Sequence, residues 1–276
     1  MKPKEGFCIV NGEVVPYSQK HDLFSEHTVV YEVIRIIGGR PLFFRQHMLR
    51  LENSCRIANV VLGWSSLQIR HAIQNLVFAD NAQNVNLKIE VFVHSSCPCY
   101  QMFLIPSSYP EEALYNQGVS VGLLRAERAN PNAKILNRPF VSHANELMKT
   151  NNWYEVLLVN GEGEVTEGSR SNFFLIEKTS IITPPLKSVL PGITRQMVLK
   201  LASEIGLEVK EISVPSAILP NYRAAFLSGT SPGILPIAII DDIAYNPLNP
   251  TCHKLREAYN RLVFDDLSSF TYDGIE

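Results

Sequence analysis

Two glycine-centred reversals near the N-terminus constrain this chain more than any other feature. In "GFCIVNGEVVPY" two β-prone runs are broken by Asn11-Gly12, a pair that tolerates positive φ and predicts a tight hairpin over Phe7 to Val15. In "VVYEVIRIIGGRPLFF" the β-branched run from Val29 to Ile37 turns at Gly38-Gly39 into Pro41 to Phe44. The N-terminal part is therefore expected to be a sheet built of hairpins. "RQHMLRLENSCRIANVVLG" then places Met48, Leu51, Cys55 and Ile57 near helical spacing, with Gly63 as a stop signal. A second helix is predicted in "SSLQIRHAIQNLVFADN", capped by Ser65 or Ser66, with Leu67, Ile69, Ile73 and Leu76 as its apolar positions. The strands "VNLKIEVFVH" and "CYQMFLIP" complete an antiparallel sheet with helices that ends near Pro106.

A chain of 276 residues can bury a large core and lies at the size where one domain commonly becomes two. The polar segment "SSYPEEALYNQG", with Pro110, marks the connection. The expected organisation is α+β: a small domain over 1–107, a connection over 108–118, and a larger, mostly β domain over 119–276. The latter is predicted to hold a strand from Val119 to Leu124, a polar loop "RAERANPNAKILNRP" and a helix near Val141 to Asn151. Strands "YEVLLVN", "SNFFLIE" and "SIITPP" follow, then a helix from Thr194 to Glu204, further strands in "LEVKEISV" and "AAFLSGTSPGILPIAIID", and a helix over Pro250 to Asp265.

With 25 basic against 27 acidic residues, the chain has neither a nucleic-acid footprint nor an attraction to acidic membranes. No window approaches the roughly 18 consecutive apolar residues of a membrane span, and "MKPKEGFCIVNGEVV" has no sustained apolar signal core, so a cytoplasmic protein is expected. Five scattered cysteines argue against a disulfide framework. The "CPC" at Cys97 to Cys99 has no second pair or histidine cluster to complete a metal site, so no metal is expected.

Three polar features in the second half could carry chemistry: Lys134 in "NAKILN", Glu167 in "VTEGSRSN", and the pair "LPGITRQ" with "LSGTSPG". Taken singly, Lys134 is an ordinary loop residue, Glu167 a turn residue and Thr194 a helix cap. "LPGITRQMVLKLA" nevertheless presents unpaired N–H groups and a hydroxyl at a helix start, an arrangement that binds phosphate. "FLSGTSPG" offers a second anion-contacting turn. The glycine and lysine spacings fit neither a Walker loop nor a dinucleotide fingerprint. An amine, a carboxylate and two phosphate cradles together are the set that pyridoxal 5'-phosphate requires.

At these residues the chain resembles the fold-type IV, or class IV, pyridoxal-phosphate enzymes, which include branched-chain aminotransferases, D-amino acid aminotransferases and aminodeoxychorismate lyases. The matching stretches are "VVYEVIRIIGGRPLFFRQHMLRL", "AKILNRP", "VNGEGEVTEGSRSNFFLIE", "PGITRQMVLKLASEIGLEVKE" and "FLSGTSPGILPI", in the family's order over nearly the whole chain. The resemblance implies a two-domain homodimer. It also implies that Lys134 is the Schiff-base lysine, that Glu167 pairs with the pyridine nitrogen, and that Arg50 in "HMLRL" clamps the phosphate. Ile193 and Thr194 are implied as helix-end donors, Thr230 and Ser231 as the opposing turn, and Ser169 as a cofactor neighbour.

The chain departs from the family pattern in two places. Ser25, Glu26, His27 and Thr28 stand where glycines are common, and "HSSCPCYQ" lacks the arginine of the D-amino acid group, which argues against that specificity. Tyr31 and His94 are the candidate substrate contacts. "KILNR" resembles the lyases, whereas "LSGTSPGILPI" resembles the branched-chain enzymes. The leading expectation is amino-group transfer between an amino acid, branched-chain-like before others, and a 2-oxo acid. Two alternatives stay open at this level: a 4-amino-4-deoxychorismate lyase releasing pyruvate and 4-aminobenzoate, and a non-catalytic ligand-binding descendant of the fold.

Overall fold

A computed structural model describes residues 6–23 and 27–273; Ser25 and Glu26 lie outside the described residues. The chain is α+β and divides into two compact units. The first comprises the described residues through Ser108 together with Ala133–Leu136 and residues 262–273; the second comprises Tyr109–Asn132 and Asn137–Arg261.

In the first unit the hairpin logic holds. Strands β1 (Phe7–Val10) and β2 (Glu13–Pro16) turn on Asn11 and Gly12, whose φ values of 50° and 98° a two-residue reversal requires. Strand β3 (Val30–Ile37) turns at Gly38-Gly39 into β4 (Arg40–Pro41), followed by helices α1 (Phe44–Ile57) and α2 (Ser66–Ala79) and strands β5 (Asn84–His94) and β6 (Cys97–Ile105). The six strands form one antiparallel sheet in the order β2-β1-β6-β5-β3-β4. Met48, Leu51, Cys55, Ile69, Ile73 and Leu76 of the helices pack with Ile34, Ile36, Leu87 and Ile89 of the sheet.

Helix α1 stops at Ile57, short of the expected Gly63. Asn59 takes a left-handed φ of 53° and lets the Val60 N–H reach back to the Cys55 carbonyl at 2.9 Å, a closure that asparagine supports almost as well as glycine. At α2 Ser65 is the cap, accepting from the Gln68 N–H while the Gln68 side chain accepts from the Ser65 N–H.

The second unit opens with a short helix α3 (Glu112–Gln117), so the polar connection is not structureless. It continues with β7 (Val119–Arg125), α4 (Arg138–Asn151), β8 (Glu155–Val159), β9 (Glu164–Gly168), β10 (Asn172–Glu177), β11 (Ser180–Thr183) and α5 (Ile193–Glu204). Then come β12 (Glu208–Glu211), β13 (Val214–Pro215), β14 (Ala224–Gly229), β15 (Gly233–Ile240), β16 (Ile243–Ala244) and α6 (Pro250–Ser269), whose end from residue 262 groups with the first unit.

Nine strands run β12-β11-β10-β14-β15-β7-β8-β9-β13, with β16 on β15. The pairs β15–β7, β7–β8 and β11–β12 are parallel. Val121, Leu157, Phe173, Leu227 and Leu235 centre its core. Helix α4 begins before the expected Val141 because Asn137 accepts from the Phe140 N–H at 3.1 Å and a proline sits in the first turn. Among the described residues no helix is long and apolar enough to cross a membrane.

Candidate active site

Lys134 lies in a stretch that looked like plain loop in the sequence but runs beside β3. The Tyr31 N–H donates to the Lys134 carbonyl at 3.0 Å, and the Leu136 N–H to the Val29 carbonyl at 2.9 Å. From the other side the Lys134 N–H donates to Ser54 Oγ of α1 at 3.1 Å. The backbone is thus held from strand and helix together, and the amine lies 4.6 Å from the Tyr31 ring centroid. Tyr31 is half-buried, and Lys88 Nζ lies 5.1 Å from the same ring, paired with Glu90.

Behind this stretch sits a buried charge cluster. Strand β3 alternates, and Glu32 falls on the buried side with Val30, Ile34 and Ile36. Its carboxylate accepts from Arg50 Nε and Nη2, both at 2.7 Å, and meets His47 Nδ1 at 2.8 Å. Burial alone would raise the Glu32 carboxyl, but the Arg50 guanidinium and the two hydrogen-bonding neighbours overcome it and hold the group well below the usual carboxylate range. For His47 burial dominates: the attraction of Glu32 opposes it, Arg50 and Lys134 reinforce it, and the imidazole is held below its ordinary value.

The second unit places Glu167 inside β9 rather than in a turn, 3% exposed. Its Oε1 lies 2.8 Å from Arg128 Nε, and its Oε2 accepts from the Leu190 N–H at 3.0 Å and from Asn172 Nδ2 at 3.3 Å. The same Asn172 Nδ2 donates to the Leu190 carbonyl at 3.0 Å, which fixes which way the amide points.

The polar turn after Glu167 is built around Glu155. This buried carboxylate accepts from Ser169 Oγ at 2.5 Å, Ser171 Oγ at 2.9 Å, the Arg170 N–H at 3.1 Å and the Val156 N–H at 2.9 Å. Ser169, expected beside a cofactor, places its hydroxyl on Glu155 and offers its carbonyl to Arg128 at 2.6 Å. Arg170 reaches outward to the Tyr154 carbonyl at 3.3 Å.

Helix α5 begins at Gly192, Ile193 and Thr194, and no side chain caps it, so Thr194 is not the self-cap that its sequence position suggested. Ile193 and Thr194 are buried. A methyl group on Gly192 would overlap Asn172 Oδ1, so the helix start can sit this close to β10 only because the residue is glycine. Asn172 faces Ser228 across the β10–β14 ladder, and the buried Ser228 hydroxyl has no hydrogen-bond partner. Just beyond it, Thr230 and Ser231 form the half-buried turn between β14 and β15. His94 is exposed at the end of β5, its ring 5.4 Å from that of His21 and 6.4 Å from that of His27.

The structure therefore gathers Lys134, Arg50 and Tyr31 in the first unit and Glu167, Ile193, Thr194, Thr230 and Ser231 in the second. Sequence reading passed over Glu32, His47, Ser54, Arg128, Glu155 and Ser228, and gave Asn172 of the polar cluster no role. Four of these had a visible signal: Glu32 interrupts the apolar alternation of β3, Ser228 ends the continuous apolar run of β14, and His47 and Ser54 lie on the buried stripe of α1 with Met48, Leu51 and Cys55.

Residues 29–240 match the family described as amino-transferase class IV. The chain is 26% identical over 286 aligned residues to the branched-chain-amino-acid aminotransferase of Salmonella typhimurium, covering 93% of this chain and 92% of that protein. It is 27% identical to the D-alanine aminotransferase of Bacillus licheniformis, over 77% of this chain and 78% of the relative. Its fold superposes on the branched-chain amino acid aminotransferase from Thermobaculum terrenum, solved in its PLP-form, with a TM-score of 0.81, 23% identity and 96% coverage of both chains. The chain belongs to the class IV aminotransferases.

Proposed function

We propose that the chain is a pyridoxal-phosphate-dependent transaminase that moves an amino group between a branched-chain-like amino acid and a 2-oxo acid. The observation that carries this reading is Lys134, whose backbone is tied to β3 and α1 so that its amine projects from a fixed point over Tyr31. The residues present suit the cofactor. The orphaned Ser228 hydroxyl and the uncapped start of α5 are donors that lack an acceptor, and a phosphate would supply one.

When bound, pyridoxal phosphate supplies an aldehyde for the amine and a ring that delocalises the electron pair left at the substrate Cα. The Lys134 amine would hold the cofactor aldehyde, and the same amine would carry the substrate Cα proton as base and then acid. Glu167 would accept a hydrogen bond from the ring nitrogen. Arg50, oriented by its two bonds to Glu32, would offer its guanidinium to phosphate, and in the second unit Ile193, Thr194, Thr230 and Ser231 would offer donors to phosphate. Ser169 acts one step back, by shaping the turn that carries Glu167. Tyr31 and His94 face substrate.

We place the protein in the cytoplasm as a homodimer; exposed Leu67 and Phe78 on α2 are apolar surface suited to a partner copy. Light scattering that returns a monomer mass would remove that part of the proposal. The activity is tested by supplying the cofactor-loaded protein with a panel of amino donors, a 2-oxo acid acceptor and, separately, aminodeoxychorismate. Acceptor-dependent oxo acid formation from leucine, isoleucine or valine is expected. Pyruvate from aminodeoxychorismate would assign the lyase instead, and bound cofactor without any turnover a binding role.

A further inference from the structure

We propose that Arg128 is the positioning residue for Glu167, fixing its carboxylate as an anion in a single orientation before any cofactor arrives. Its Nε is 2.8 Å from Glu167 Oε1 and its Nη2 donates to the Ser169 carbonyl at 2.6 Å, so one planar guanidinium spans the end of β9 and the turn that follows. The Phe140 ring of α4, 5.6 Å from the guanidinium carbon, supports it.

Glu167 Oε2 accepts from Asn172 Nδ2 and the Leu190 N–H, while Arg128 faces Oε1 as an ion pair at 2.8 Å whose Nε–H is not aligned into a hydrogen bond. A proton on Oε2 would point at a donor and one on Oε1 would meet the guanidinium cation, so these neighbours favour the ionised form. Glu155, the second carboxylate of this turn, is held by two hydroxyls and two backbone N–H groups, and Arg128 is a counter-ion of Glu167. An acceptor-only Glu167 requires a ring nitrogen that meets it to bring the hydrogen itself. This last step rests on the reading that Glu167 faces the pyridine nitrogen; the ionisation of Glu167 does not.

The test uses the full-length chain before and after loading with pyridoxal phosphate, in the wild type and in Arg128→Lys, Arg128→Met, Glu167→Gln and the double variant. Before loading, infrared spectroscopy is expected to show a protonated-carboxyl stretch in R128M that is absent from the wild type, from R128K and from the double variant. On loading, calorimetry in buffers of different ionisation enthalpy should count about one proton fewer taken up per site by R128M than by the wild type, with R128K restoring the wild-type count. A folded R128M without that stretch overturns the proposal. Should R128M fail to fold, recovery of the fold in the double variant supports the coupling, and failure of both assigns Arg128 to the framework and overturns it. If E167Q takes up the cofactor with the wild-type proton count while R128M still shows its stretch, the ring-nitrogen reading fails and the Arg128 proposal stands.

Discussion

The residues that decide this molecule's chemistry are charges held where charges are costly. Glu32 is fully buried and tolerable only because Arg50 and His47 meet it; removing one partner of such a group leaves an uncompensated neighbour. Glu32→Gln is therefore expected to lower unfolding free energy at pH 7 by about 3–5 kcal/mol, read from urea titrations. In the wild type both titrating groups work in one direction. His47 is depressed below its ordinary 6.5 and Glu32 below its ordinary 4.5, so the unfolded chain binds more protons below those values and stability falls as pH drops, first through His47 and then through Glu32. A stability that rises on acidification from pH 7 to pH 4 would contradict this assignment. Burial pushes the Cys55 and Cys252 thiols up to about 12, consistent with cysteines that fill the core rather than react.

At the scale of elements, the turns and caps were legible because single residues encode them. Asn11-Gly12, Gly38-Gly39 and Ser65 each act through local backbone chemistry, and Ser65→Ala should cost about 1 kcal/mol with little effect on cofactor affinity. The strand-like course of Lys134 was not legible, since it depends on β3 and on Ser54, which lies 80 residues away in the chain. The network around Glu155 was hidden for the same reason: "GSRSN" shows its hydroxyls, while their acceptor lies on another strand. Gly192 links element to site. Gly192→Ala must displace Asn172, which Glu167 and Leu190 already hold, so a destabilisation of about 1–3 kcal/mol is expected. Weakened pyridoxal-phosphate binding should accompany it, and an unchanged melting temperature together with unchanged affinity would show that α5 and β10 have room to spare.

For the whole molecule, the α+β class and the family were legible because matching stretches recur in order along nearly the entire chain, and the family match over 29–240 agrees. The parallel pairs of the larger sheet were not, because strand neighbours far apart in sequence leave no local trace. Substrate choice is hardest to read: relatives named for branched-chain amino acids and for D-alanine are similar to this chain at 26% and 27% identity.

The central claim is that Lys134 carries an amino-group transfer, and a single-turnover measurement tests it most directly. Cofactor-loaded protein is mixed with leucine and no acceptor, and the oxo acid formed is counted per bound pyridoxal phosphate in the wild type and in Lys134→Ala. One oxo acid per cofactor in the wild type, with the cofactor left as pyridoxamine phosphate, and none in K134A is the predicted result. Equal yields from the two proteins, or no oxo acid from a wild type that releases pyruvate from aminodeoxychorismate, would contradict it.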